Sequence, residues 1–334
     1  MQQWIKEAAR GKRGSKHLSY EQAKLAGEAM FSGEASDVQI AAFLIAERIK
    51  TETSDELLGI TEAMRAHSSV LQLPPHISGH AVDFAGPYTS RRSFLATIPV
   101  SLLLAESGIP AFLHSSEALP PKYANNIKAV LRELGIETEG TQEHIEEILS
   151  ELHIGFASAE LCCRPFQRLK TIREEMGVRT VLNTAEKLLN YAGASRIMMG
   201  AFHRTAIQHI FPVFQRLGYQ QAFIVQGAEG SEDVPVHRNS FVFTINESEM
   251  EAFILKPEDY GLKADEAAWD QTMSPAGQAE KITAILGGSE ESGLDYERKQ
   301  VIMNAGLRYY LFGHTTSIEE GADLAKSQLE QKGA

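Results

Sequence analysis

Residues 109–135 read IPAFLHSSEALPPKYANNIKAVLRELG, and the order of elements in this stretch decides the fold. Residues 109–113 form a short apolar run that predicts a buried strand. A polar break carrying His114 follows. Residues 123–134 then show helical spacing and stop at Gly135. Strand, polar break and helix in that order make one unit of an α/β protein, and the break is where such a fold places a ligand.

The same alternation extends on both sides. Strands are predicted over 80–85, 154–157, 196–199 and 222–226. Helices are predicted over 94–107, 142–152, 165–176, 185–191 and 205–217. The pattern calls for a mostly parallel sheet with helices on both faces. Residues 241–246 and 251–254 read as a later antiparallel excursion, and 276–286, 296–311 and 318–330 as closing helices.

Upstream, residues 18–69 contain no strand pattern. Ser19 with Gln22 reads as a capping box, followed by Ala23, Ala26, Met30 and Phe31 at helical spacing. Ser36 or Asp37 caps a second helix carrying Ile40, Phe43 and Leu44. Thr53-Ser54-Asp55-Glu56 opens a third with Leu57, Leu58, Ile60 and Met64. Short helices with short connections predict a small bundle, and Leu73-Pro74-Pro75 marks a hinge. The expected fold is therefore a small helical N-terminal domain plus a larger α/β domain, with a cleft between them.

The chain has 334 residues, 43% hydrophobic and 23% charged, enough for two such units. Its net charge of −12 is opposite in sign to that of a protein that coats duplex nucleic acid. The cysteines, Cys162 and Cys163, are adjacent and read as buried free thiols in a reducing compartment. Residues 1–14 lack the apolar core of a signal peptide, and no run has the length of a membrane span, so a soluble cytoplasmic protein is expected. Lys6, Arg10, Lys12, Arg13 and Lys16 form a solvated basic arm or a polyanion contact.

Several words of sequence occur in an order that carries a family resemblance. They are Phe31-Ser32-Gly33-Glu34, Ser36-Asp37-Val38-Gln39-Ile40-Ala41-Ala42-Phe43-Leu44, Lys50-Thr51-Glu52-Thr53, and Gly177-Val178-Arg179-Thr180-Val181-Leu182-Asn183. Leu255-Lys256-Pro257-Glu258-Asp259-Tyr260-Gly261-Leu262 and Asn304-Ala305-Gly306-Leu307 continue the series. Over about residues 15–330 the chain resembles the anthranilate phosphoribosyltransferase family and its nucleoside-phosphorylase-II-type relatives. The resemblance implies a helical domain of 1–73 plus about 164–190, and an α/β domain of 74–163 and 191–334. It also implies a homodimer through the helical domain, Mg²⁺ as the metal, no organic cofactor, and phosphoribosyl pyrophosphate or another phosphorylated ligand.

Transfer from such a donor needs a glycine-rich loop for the phosphates and carboxylates for the metal. At the family's loop this chain reads Asp83-Phe84-Ala85-Gly86-Pro87-Tyr88-Thr89-Ser90-Arg91-Arg92. Gly86 is kept, Pro87 has no N–H, Tyr88 is bulky, and Arg91 and Arg92 are gained as phosphate donors or as ordinary surface arginines. Thr97 stands in a neighbouring segment that has lost most of its polar residues. The family's basic run after the second strand appears as Leu113-His114-Ser115-Ser116-Glu117, which keeps only the histidine. The metal pair appears as Glu232-Asp233, a divalent-metal site or a solvated acidic turn. Arg173 falls at the arginine that contacts anthranilate in the family, and Arg164 lies where a substrate histidine is absent. Two functions follow from the resemblance. One is a pentosyltransferase with an altered or lost standard activity. The other is a paralogue binding a polyanion, such as single-stranded nucleic acid, in the cleft.

Overall fold

The computed structural model describes residues 1–11, 13–86, 91–246, 249–270 and 272–333. The sequence readings for Lys12, Pro87 and Tyr88 lie outside the described residues.

The N-terminal block contains α1 (Gln2–Ala8), α2 (Tyr20–Phe31), α3 (Asp37–Lys50) and α4 (Ser54–Ala66). Helices α2, α3 and α4 each start at a full capping box: Ser19 with Gln22, Ser36 with Gln39, and Thr53 with Glu56. Each box satisfies two backbone donors that a helix start leaves open. Ala23, Ala26, Phe43, Leu44, Leu58 and Ile60 face inward and make the core of this block.

The α/β body begins with α5 (Pro75–Ser78), β1 (Val82–Ala85), α6 (Thr97–Glu106), β2 (Ala111–Ser115), α7 (Ile127–Glu133), α8 (Gln142–Leu152) and β3 (Ile154–Ser158). Then come α9 (Ala159–Cys162), α10 (Phe166–Met176), α11 (Leu182–Ala185), β4 (Arg196–Gly200), α12 (Arg204–Leu217) and β5 (Gln221–Val225). The chain closes with β6 (Ser240–Ile245), β7 (Met250–Leu255), α13 (Pro275–Leu286), α14 (Asp295–Leu311) and α15 (Ile318–Gly333). The sheet order is β3-β2-β1-β4-β5-β6-β7. The first five strands are parallel, and β6 and β7 are antiparallel additions at one edge.

Period-two alternation places helices on both faces. Phe112, Ile197, Met199 and Ile224 join the core shared with the helical block. Phe84, Leu113, Met198, Phe223 and Val225 point the other way, toward α6, α13, α14 and α15. The segment 164–190 turns back onto the helical block: α10 packs on α3, and α11 on α4. Arg168 reaches Asp37 and the Ala35 carbonyl, and Arg65 donates to the Leu188 carbonyl at 2.8 Å. No helix among the described residues is long and apolar enough to cross a membrane. Cys162 and Cys163 are buried and free, and burial pushes the Cys162 thiol up to about 12.

Several expected boundaries move, and the helix expected over 185–191 is instead α11 followed by a short 3-10 turn over Glu186–Leu188. β2 continues through His114 and Ser115, so the polar break starts later than the sequence implied. The helix expected from 123 begins only at Ile127, where the Asn126 side chain accepts from the Ala129 N–H at 2.8 Å. The helix expected from 94 begins at Thr97; before it the Phe94 carbonyl accepts from Arg91 and the Leu95 N–H donates to Gln278.

The chain runs outward from β1 through β2 to β3, then returns to the other side of β1 with β4 and β5. That reversal opens a crevice at the carboxyl ends of β1 and β4, the general position of ligand sites in open α/β sheets.

Candidate functional site

The loops after β1, β4 and β5 meet at this crevice. The β5 loop folds back tightly on the end of β4. A Cβ on Gly200 would lie 2.0 Å from the Ser231 carbonyl carbon, and one on Gly227 would lie 2.3 Å from the Asp233 carbonyl oxygen. This packing buries Ser231, Glu232 and Asp233 completely. The acidic pair is therefore no solvated turn.

Asp233 is the centre. Its Oδ2 receives Arg91 Nη2 at 2.7 Å and the Thr97 N–H at 3.1 Å. Its Oδ1 receives Arg308 Nη2 at 2.7 Å and lies 2.8 Å from Thr97 Oγ1. Thr97 Oγ1 also lies 2.5 Å from Glu232 Oε1 and accepts from Arg308 at 2.9 Å. Arg91 further donates to Ser231 Oγ and to the Phe94 carbonyl. The Arg308 guanidinium sits 4.9 Å over the Phe84 ring. Two guanidiniums and two carboxylates thus form a buried quartet with no net formal charge. Burial raises the Asp233 carboxyl, but the Arg91 and Arg308 charges outweigh it and hold the group below its ordinary value. Burial and the neighbouring Asp233 charge push Glu232 up.

This donor set does not fit a divalent metal as it stands. Mg²⁺ takes six oxygens at roughly 2.0–2.1 Å and keeps several waters. Both Asp233 oxygens already accept from guanidiniums, and Thr97 binds within the same network. Among the described residues, no group of three or more His, Cys, Asp or Glu side chains could hold a metal ion. The Arg91 reading is corrected accordingly. It is neither a surface arginine nor a free phosphate donor, because Asp233, 142 residues away, claims it.

Beside the quartet lies a second cluster, built on Glu229. Its Oε1 accepts from the backbone N–H groups of Arg92 and Ser93, each at 2.9 Å, and from Ser93 Oγ at 3.0 Å. Its Oε2 accepts from Lys122 Nζ at 2.6 Å. Burial works against the charge, but Lys122 and Ser93 hold the carboxyl below its ordinary value. Lys122 Nζ and the Arg179 guanidinium lie 5.8 and 5.3 Å from the centre of the exposed Phe202 ring.

The remaining predicted residues have defined places. Gly86 is buried against Ile127, where a Cβ would come within 2.5 Å of Cδ1. Arg92 is exposed at the crevice and Arg164 is exposed at the surface. His114 is fully buried, with Nε2 2.9 Å from Asp83 Oδ1 on the neighbouring strand, so it is a core residue and not a cleft wall. Ser115 Oγ accepts the Lys128 N–H at 3.1 Å, and Ser116 Oγ donates to the Glu117 carbonyl at 3.0 Å. Arg173 is buried in a two-point pair with Glu186, at 2.5 and 3.0 Å, which occupies the fork a carboxylate ligand would use. Arg173 is therefore not free to take a ligand carboxylate.

Sequence reasoning missed Arg308, Glu229, Lys122, Glu186 and Lys187. Lys187 lies near Glu232 and Glu186, and burial pushes its amine down. Arg308 had a signal: Gln300, Asn304 and Arg308 recur every four residues in the otherwise apolar run 300–308 of α14, a polar stripe facing the β5 loop. Glu229 had none, since its donors lie 107 to 137 residues away.

Comparison with known proteins gives one answer. Residues 2–68 match the helical bundle domain, and residues 99–334 the a/b domain, of the glycosyl transferase family. The chain is 28% identical over 316 residues to the anthranilate phosphoribosyltransferase of Shouchella clausii, covering 94% of this chain and 90% of the relative. It is 29% identical over 322 residues to that of Azorhizobium caulinodans, covering 95% and 90%. The crystal structure of anthranilate phosphoribosyltransferase from Thermus thermophilus superposes with a TM-score of 0.80 at 27% identity, over 99% of this chain and 95% of that one. The Saccharomyces cerevisiae enzyme in complex with PRPP and Mg shares the fold, with a TM-score of 0.82 at 17% identity over 99% and 94%.

Proposed function

The chain belongs to the glycosyl transferase family, and from that premise we propose a phosphoribosyltransferase-like protein whose cleft takes a phosphate-bearing ligand without a divalent metal. Standard transfer of phosphoribosyl from phosphoribosyl pyrophosphate to anthranilate is absent or slow. The observation that carries this reading is the Asp233 carboxylate, both of whose oxygens are held at 2.7 Å by Arg91 and Arg308. Arg91 and Arg308 stand on this carboxylate where a metal ion stands elsewhere, and the exposed Arg92 beside them is left to meet a ligand phosphate. The helical unit is taken as 1–73 with about 164–190, and the ligand cleft lies between it and the α/β unit.

Calorimetry with phosphoribosyl pyrophosphate tests this. Binding is expected to be weak and unchanged by Mg²⁺, with no consumption of anthranilate. Micromolar, Mg²⁺-dependent binding that Glu232→Ala abolishes would overturn the reading.

A second reading, single-stranded nucleic acid as the polyanion, has one observation in its favour. Phe202 is 44% exposed with Lys122 and Arg179 against its ring. An exposed ring with cations close by is the kind of surface on which a base stacks. The net charge of −12 counts against it. Fluorescence anisotropy with a short single strand decides: affinity should fall in Phe202→Ala and fall steeply with salt. A flat response at low salt removes this reading.

A further inference from the structure

We propose that the donors gathered on Glu229 form a phosphate subsite that the chain's own carboxylate keeps closed, and that a terminal phosphate group opens it by displacing Glu229. This rests on the reading that the cleft takes a phosphate-bearing ligand, and it identifies the subsite and its gate. Two successive backbone N–H groups, from Arg92 and Ser93, point at one oxygen together with the Ser93 hydroxyl. Lys122 Nζ holds the second oxygen at 2.6 Å. Adjacent N–H groups with a hydroxyl and an ammonium are the chemistry of an anion cradle. Here a carboxylate fills it from a different loop.

The occupant is held under strain. Glu229 has φ 51°, in the left-handed region that non-glycine residues avoid, and Gly230 follows at φ 80°. The Phe202 ring fills the space beside Gly230, within 2.3 Å of where a Cβ would sit. The exposed Arg92 side chain and Arg179, which feels the Glu229 charge, leave the surroundings cationic once the carboxylate withdraws. A phosphate monoester brings up to two negative charges and three free oxygens, so it can satisfy all four donors and relax the loop.

Titration calorimetry of the full chain with inorganic phosphate and with ribose 5-phosphate tests this, alongside an oligonucleotide lacking terminal phosphates. Glu229→Gln removes the competing charge and is expected to bind both terminal phosphates at least tenfold more tightly than the parent chain. Lys122→Met in the Glu229→Gln background should erase that gain. Amide resonances of Arg92 and Ser93 should move when phosphate is added to the parent chain, which supplies a readout if a variant folds poorly. Unchanged or weaker phosphate binding in folded Glu229→Gln overturns the proposal, as does a gain confined to the oligonucleotide or still amides in the parent. Mg²⁺-dependent transfer in the parent chain would instead overturn the functional reading while leaving displacement of Glu229 measurable.

Discussion

Arg308 Nη2 lies 2.7 Å from Asp233 Oδ1, and both side chains are wholly removed from solvent. The contact ties α14 to the β5 loop and, through Thr97, to the start of α6. A buried ion pair adds little net stability when intact, because desolvation offsets the attraction. Removing one partner is costly, because it leaves the other charge unpaired in low dielectric.

Arg308→Met is therefore expected to destabilise the chain by about 3–5 kcal/mol in urea unfolding. The parent chain should show no change in melting temperature with millimolar Mg²⁺ or with a chelator, since Arg91 and Arg308 already hold both oxygens of Asp233. A clear Mg²⁺-induced rise in melting temperature would show that the guanidiniums give way to metal.

Glu47 sets a pH dependence in the helical block. It is fully buried on α3 beside Glu56, and burial, then the Glu56 charge, raises its carboxyl to about 7 despite Lys50 at 3.1 Å. Lys50 works against this rise both through its charge and through its close contact with the carboxylate, but does not outweigh burial. Glu52 adds to the rise, and His17 lies 3.4 Å from Glu56. The native state holds the Glu47 proton more tightly than the unfolded chain does. Its contribution is full below the ordinary value of 4.5 and is lost as pH rises through about 7. Glu47→Gln should match the parent near pH 4.5 and exceed it at pH 8, by about 1–3 kcal/mol on the scale of 1.36 kcal/mol per unit. Parallel stability curves across that range would remove Glu47 as the titrating group.

Local signals carried the architecture well. The three capping boxes and the strand–helix alternation depend on residues within a few positions of one another, and they place helices and parallel strands correctly. The site was legible only in part, because its residues act through partners far along the chain. Arg91 reads as a surface cation until Asp233 is placed beside it. His114 reads as a loop residue until β1 brings Asp83 to 2.9 Å. Glu232 and Asp233 read as a metal pair or a solvated turn because the arginine on α14 that meets Asp233 is distant in sequence. Sequence words locate the crevice; the ion pairing inside it is tertiary.

The Arg173–Glu186 pair lends itself to a double-mutant cycle. Both side chains are buried and meet at two points. Glu186→Gln is expected to cost about 3–5 kcal/mol by stranding the guanidinium, and Arg173→Met a similar amount. The double change Arg173→Met/Glu186→Met should recover most of that loss, because apolar residues of similar volume replace buried pairs nearly neutrally. Additive losses in urea unfolding would mean that each residue has a separate partner.

The last prediction concerns the outer face of α3. Ile40, Phe43 and Leu44 point into the core, yet Val38 is 80% exposed and Ile49 is 75% exposed. With Ala42 and Ile45 they recur at intervals of four, three and four residues, the spacing of one helical face. A second apolar stripe on a helix already packed on its first calls for a partner. A homodimer through the helical domain is the expected occupant. Sedimentation of the parent chain should give twice the chain mass, and Val38→Glu/Ile49→Glu should give the single chain mass with little loss of thermal stability. A parent chain that sediments as a monomer at micromolar concentration would sink the dimer.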